Sequence, residues 1–428
     1  MVKHSILRSG LIGLGLLLAT SSWAATEEYG YPIKDKYVAT VVGTPSEYFA
    51  DLPKKIPFKS RRLSIFPDRE IPDAFFADSE LLYSVALQKK AAPLIFLIAG
   101  TGSSHNGGTN YQMARAFYQA GFHVVSLSSP TFSNFVISAS RTGVPGHAEH
   151  DAEDLYRAME KIHTILLDKD NIEITGFNLT GYSLGGFNSA YVAKLDEQRQ
   201  SFNFDRVLLI NPPVSLYNSI SLLDRMAENI PGGVDNFNLF FEDLMRGFGE
   251  VYKRSSGDVG DNFLYDAYRA MDLKNEELAA LIGTAFRLSS ASMVFASDVM
   301  TNYGYVKPKE MRLTRHTDLQ NFNLVVSRLG FTDYYHEYFY PFYRDTENAG
   351  NRDDFVRSES LTHIQDYLLS TPKITVMHNE NDVILEPGEI DFFREVFGDR
   401  AKIYPYGGHC GNMSYRDNVA HMIDTFTR

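Results

Sequence analysis

The chain has 428 residues, 44% of them hydrophobic and 22% charged, with a formal net charge of −12. That composition excludes a disordered chain, a collagen-like repeat and a coiled coil. The acidic balance argues against nucleic acid or an anionic membrane as main partner, and a single cysteine, Cys410, excludes a disulfide framework or a cysteine-rich zinc site.

At the N-terminus Lys3, His4 and Arg8 form a basic front, residues 11–19 a short apolar run, and Ser22-Trp23-Ala24 places small residues at a cleavage point before Ala25. The run is too short to cross a bilayer core of roughly 30 Å, which needs about 20 apolar residues. Residues 1–24 therefore read as a secretory signal peptide. An uncleaved anchor is the competing reading, and no cysteine follows the run to take a lipid. A secreted chain with one thiol fits a bacterial periplasm better than a eukaryotic secretory route, where disulfides are common. No stable membrane insertion is expected once the leader is cut.

Beyond residue 25, short apolar runs alternate with helical stretches, the sign of a mostly parallel sheet covered on both faces. Strands are expected at 62–66 and 82–87, and a continuous apolar run at 94–98 is of buried-strand type. A helix is expected around 111–120 and a strand at 122–127. Leu155, Met159, Ile162 and Leu166 then mark one face of a helix over 151–167, whose first turn is acidic. A strand at 172–180, a helix at 184–194 and a strand at 207–210 complete a first core segment, 25–213. From 214 to 371 the pattern is helical and amphipathic, a cap or lid inserted before the penultimate strand. The second core segment, 372–428, has strands at 374–377 and 401–404 and helices at 387–397 and 414–426. The fold class is thus α/β.

The sharpest motif is Gly181-Tyr182-Ser183-Leu184-Gly185-Gly186, between an expected strand and an expected helix. A serine on so tight a turn needs neighbours without side chains, so that strand and helix can approach. A hydroxyl attacks poorly until a base takes its proton, so a histidine must join it. His409, in the glycine-flanked loop Gly407-Gly408-His409-Cys410-Gly411, is the choice. His378 at a strand end is its rival, while His163, His336, His363 and His421 lie in helical stretches. An acid must orient the imidazole. The loop after the penultimate strand offers Asp382, with Glu380 as fallback. The backbone N–H of Leu184 would meet an oxyanion, and the loop Ala99-Gly100-Thr101-Gly102-Ser103-Ser104 offers Thr101 as a second donor. That loop lacks the Gly-Lys-Ser/Thr ending of a phosphate-binding loop.

These residues, in this order, resemble the α/β-hydrolase fold superfamily over nearly the whole chain after residue 25, apart from the insertion and the first few dozen residues. The resemblance implies Ser183 as nucleophile, Asp382 as acid, His409 as base, and Thr101 with Leu184 as oxyanion-hole residues. It also implies a lid where the helical insertion stands. One departure is Ala99-Gly100, where many members have His-Gly.

His147, Glu149, His150, Asp151 and Asp154 could be taken for metal ligands, but an acidic helix start explains them. Cys410 reads as a buried structural thiol, on the expectation that adjacent side chains in an extended loop point apart. The aromatic run at 334–343 fits either a surface for a greasy acyl group or packing of lid on body. The expectation is a secreted serine hydrolase cleaving a carboxylic ester, or related acyl bond, of an apolar small-molecule substrate, with no cofactor or metal. A peptidase or amidase using the same residues, and a silent hydrolase-fold binding module, are the alternatives.

Overall fold

The structure, a computed structural model, describes residues 29–254, 260, 262–347 and 349–427. The expected leader, 1–24, lies outside the described residues. Eight strands form one sheet: β1 Lys59–Leu63, β2 Leu81–Ala86, β3 Ala92–Ile98, β4 His123–Leu127, β5 Ile174–Tyr182, β6 Arg206–Ile210, β7 Ile374–Asn379 and β8 Ala401–Tyr404. Their spatial order is β1-β2-β4-β3-β5-β6-β7-β8. β2 runs antiparallel to both β1 and β4, and every other pairing is parallel. The expected fold class, a mostly parallel sheet flanked by helices, is the one observed.

The centre of the sheet follows from composition. Leu94 to Ile98 of β3 are all at 0% exposure, as a strand covered on both faces requires. Helix Ala148–Asp168 covers one face through Leu155, Met159, Ile162 and Leu166, the four residues of its apolar stripe. Helix Leu184–Arg199 packs beside it. The first strand departs from the expected 62–66. β1 is an edge strand of sequence Lys-Ser-Arg-Arg-Leu whose register pairs Leu63 with Leu81. Ile65 enters the core from beyond the strand end, so the end of the expected 62–66 run is a core anchor rather than strand.

Between β6 and β7 the described residues form helices. The longest, Asn275–Thr301, packs on helices Leu216–Ala227, Ser133–Ser138 and Lys36–Val42. By length and composition it could cross a membrane, but 67% of its apolar stretch is buried here. The segment Tyr335–Phe339 is a π-helical turn. Helix Lys36–Val42 has no counterpart in the sequence expectations. Asp35 caps it, its side chain accepting from the N–H groups of Tyr37 and Val38.

Candidate active site

Four adjacent parallel strands, β5 to β8, deliver residues to one edge of the sheet, where the chain leaves their C-terminal ends. In open α/β sheets that edge is where ligands bind. Ser183 follows β5, Asn211 follows β6, Asp382 follows β7 and His409 follows β8. Backbone bonds tie these ends together: the Ser183 N–H donates to Ile210 O at 2.8 Å, and the Asn211 N–H to Met377 O at 2.9 Å.

Ser183 sits at φ 54°, ψ −127°, a conformation unfavourable for any residue with a Cβ. Tight packing holds it there. A Cβ at Gly181 would lie 2.3 Å from the Gly185 carbonyl oxygen, and one at Gly185 would lie 2.2 Å from the Ile98 carbonyl oxygen. Both obstacles are backbone, so glycine is required at each. The turn thereby lifts the hydroxyl to the head of helix Leu184–Arg199.

The side chains of Ser183, His409 and Asp382 meet in a row. Ser183 Oγ lies 2.8 Å from His409 Nε2, and His409 Nδ1 lies 3.0 Å from both oxygens of Asp382. These partners assign the tautomer: Nδ1 carries the proton toward the carboxylate, and Nε2 is free to accept from the hydroxyl. Asp382 is buried, which disfavours its charge, but His409, its hydrogen bond and the Ile384 N–H outweigh burial and hold the pKa below the usual carboxylate range. Burial likewise opposes the imidazolium of His409. The charge of Asp382 overrides it and raises the histidine above its ordinary value.

Glu380, the fallback acid, is not in the row; it pairs on the surface with Arg394. His378 is fully buried on the other side of Asp382. Its Nδ1 accepts from the Asn379 N–H at 2.9 Å and its Nε2 donates to the Pro212 carbonyl at 3.0 Å, and burial keeps it neutral. It has no hydrogen bond to Ser183. Cys410 differs from expectation. It is half-buried, and its φ of 61° brings Sγ to 3.9 Å from His409 Nε2, because the loop is not extended at that point.

Two participants escaped the sequence reading. Asn211 donates through Nδ2 to Asp382 Oδ2 at 2.9 Å, and Thr40 accepts the His409 N–H at 2.8 Å. The only local signal for Asn211 was its place at a strand end before two prolines. Thr40 gave none.

Thr101 and Leu184 line one cavity with Ser183. Among the described residues, neither of their backbone N–H groups donates to a protein acceptor. The loop after β3 runs hard against the serine turn, since a Cβ at Gly100 would lie 3.1 Å from Ser183 Cβ. The rest of the wall is largely apolar and includes Leu216, Leu223, Phe286, Met293 and Phe339. Tyr334, Tyr335 and Phe339 of the aromatic run line this cavity while also packing in one cluster with Val144 and Phe355.

The set at 147–154 forms a helix start. Asp151 accepts from the Gly146 N–H, and Asp154 from the Arg141 N–H and the Arg157 guanidinium. His147 and His150 stack in parallel with ring centres 4.2 Å apart, and a Glu347 carboxyl oxygen lies 3.2 Å from His150 Nε2. Those three offer ligand atoms within 4.8 Å of one another.

No protein-family model and no curated protein matches the chain. Among solved structures, it is similar to a protein of Legionella pneumophila described by inference as a hydrolase, at 12% identity, over 92% of this chain and 94% of that one, with a TM-score of 0.44. It is similar to a proline iminopeptidase of Mycobacterium smegmatis at 16% identity, over 86% and 98% of the two chains, with a TM-score of 0.39. A siderophore hydrolase of Aspergillus fumigatus gives 12% identity, 87% and 97% coverage, and a TM-score of 0.40. Likenesses this weak carry nothing about chemistry. The strand order, the serine turn and the strand-end loops are what make the fold of the α/β-hydrolase type.

Proposed function

We propose that this chain, an α/β-hydrolase by fold, is a serine hydrolase that cleaves a carboxylic ester through an acyl-enzyme. One observation carries the reading: a hydroxyl, an imidazole and a carboxylate are hydrogen-bonded in sequence, 2.8 and 3.0 Å apart, with the hydroxyl on an apolar cavity. Ser183 Oγ attacks the carbonyl carbon while its proton passes to His409 Nε2. The oxyanion that forms lies against the N–H groups of Leu184 and Thr101. The tetrahedral intermediate expels the alcohol, which takes the proton from His409. Water then attacks the acyl-enzyme with His409 again as base, releasing the acid and restoring Ser183. Asp382 holds the imidazole and stabilises its cation throughout. The chemistry needs no cofactor.

The largely apolar lining of the cavity supports an ester with a largely apolar acyl chain, and the leader expected at 1–24 would put the enzyme outside the cytoplasm. The test is labelling with a fluorophosphonate probe, followed by turnover of ester and amide substrates matched in acyl group. Labelling is expected in the parent protein and not in Ser183→Ala, with esters turned over faster than amides. A folded parent protein that neither labels nor turns over any ester refutes the reading, and amides cleaved as fast as esters would make it a peptidase.

A further inference from the structure

The cavity wall carries two polar groups that the chemistry above does not use. Its other polar side chains away from Ser183 and Thr101 are already engaged. Thr131 binds the Gly102 N–H and Ser129, Ser219 donates to the Ile384 carbonyl, Tyr334 to the Pro145 carbonyl, and Tyr217 is paired with His336. The exceptions are Tyr335 and Glu359, which line the same cavity. Tyr335 is 4% exposed, and its hydroxyl has no hydrogen-bond partner among the described residues. A buried phenol left unsatisfied loses its hydrogen bonds to water without replacement and calls for a partner. It stands at the first residue of the π-helical turn, a local irregularity that recurs at functional sites.

Glu359 is 2% exposed, and among the described residues its carboxyl accepts only the Ala148 N–H at 2.5 Å and the Ser358 hydroxyl at 3.2 Å. Two carboxyl oxygens have room for more. Among the described residues no Lys or Arg pairs with it. The nearest basic group, His147, is 3.6 Å away and is itself kept neutral by burial, its pKa pushed down to about 3. Burial pushes the Glu359 carboxyl up to about 8, so near neutral pH it is an uncharged acid, able both to donate and to accept. Both groups line the same cavity, Tyr335 from the π-helical turn and Glu359 from the residue that follows helix Arg352–Ser358.

We propose that Tyr335 and Glu359 form a polar subsite that takes a hydroxyl group carried on the acyl chain, so that the preferred substrate is an ester of a hydroxy acid rather than of a plain fatty acid. The inference rests on the serine hydrolase reading. The phenol donates to the substrate hydroxyl, which exchanges a second hydrogen bond with the neutral carboxyl. An ammonium group fits less well, because it would require Glu359 to ionise where burial opposes its charge.

The experiment compares kcat/KM for p-nitrophenyl esters of straight-chain acids, from butanoyl to decanoyl, with their ω-hydroxy and ω-amino counterparts. At the chain length that reaches the subsite, the hydroxy ester should exceed the plain ester by about tenfold or more. Tyr335→Phe should remove most of that ratio. Glu359→Gln should keep it, since a neutral amide still donates and accepts. Ratios are read within one variant, so a general loss of stability cancels. Equal or better turnover of plain esters at every length refutes the subsite while leaving the hydrolase standing. Preference for the ammonium-ended ester refutes a neutral subsite. No turnover of any ester, with no probe labelling, refutes the hydrolase and the subsite with it.

Discussion

Replacing Asn211 by Asp exchanges a donor for an acid at the group that steadies Asp382, with almost no change of shape. Asn211 has φ 45°, a conformation that Asn and Asp both tolerate, so the backbone need not move. In the parent protein Nδ2 donates to Asp382 Oδ2 at 2.9 Å. In Asn211→Asp the new carboxyl can replace that bond only while protonated. If both acids ionised about 3 Å apart, their repulsion at an effective dielectric of about 20 would be about 5 kcal/mol. That equals about four pKa units, so a group ordinarily near 4 keeps its proton to about pH 8. Below that pH the variant should work nearly as the parent does. Above it, a second negative charge displaces Asp382 and raises the cost of freeing His409 Nε2 to act as base. The expected pH profile of kcat/KM is therefore a bell with an alkaline limb near pH 8, where the parent protein continues on a plateau. Its alkaline loss should reach about a hundredfold, the worth of one charge-assisted bond near 3 kcal/mol. The assay is ester hydrolysis between about pH 5 and 10, with circular dichroism at each end to show that the fold persists. A variant whose profile overlays the parent's would mean that Asn211 does not govern the Asp382 charge, and the account of the site would be wrong there.

Three further outcomes are expected. Gly185→Ala must drive a methyl group into the Ile98 and Ala99 carbonyl oxygens, 2.2 and 2.6 Å from its ideal position; it should lower stability in urea by about 3 kcal/mol or more, and an unchanged unfolding midpoint would contradict the packing described. Glu359, whose pKa rises from 4.5 to about 8 in the folded protein, gives stability that is full below pH 4.5 and is lost as pH rises through 8, so Glu359→Gln should flatten the fall in Tm over that interval by the equivalent of on the order of 3 kcal/mol. His147, buried neutral, makes stability fall as pH drops below 6.5, so the comparison is read between pH 6.5 and 8, where His147 is neutral in both states. The acid limb of kcat/KM should lie above the ordinary histidine value of 6.5, since Asp382 raises His409, and an inflection well below 6.5 would show that the pair is not coupled as described.

What the sequence made legible is what is local. The serine turn is written in six consecutive residues because its constraint, room for a strand to meet a helix, acts on those residues alone. His409 stands out because glycines surround it, and Asp382 because it follows a strand at the expected place in the chain order. Asn211 and Thr40 were invisible because each acts on a partner far along the chain, 171 and 369 residues away, and neither sits in a pattern. Helix Lys36–Val42 was missed for a related reason. Three of its seven residues are valine and one is threonine, a composition that does not favour helix. The Asp35 cap and the contact with helix Asn275–Thr301 hold it in place. At β1 the hydrophobic signal was real but belonged to the residues just after the strand, since an edge strand can be built from polar residues.

The loop that carries His409 is braced from the opposite end of the chain. Thr40 holds its backbone, the hydroxyls of Tyr31 and Thr44 both donate to the Gly411 carbonyl, and the carbonyls of Lys36 and Ala39 press so close that Gly408 and Gly411 could carry no side chain. Thr44 and Gly411 stand 367 residues apart in sequence, so the loop takes this held form only once both segments have been made and have met.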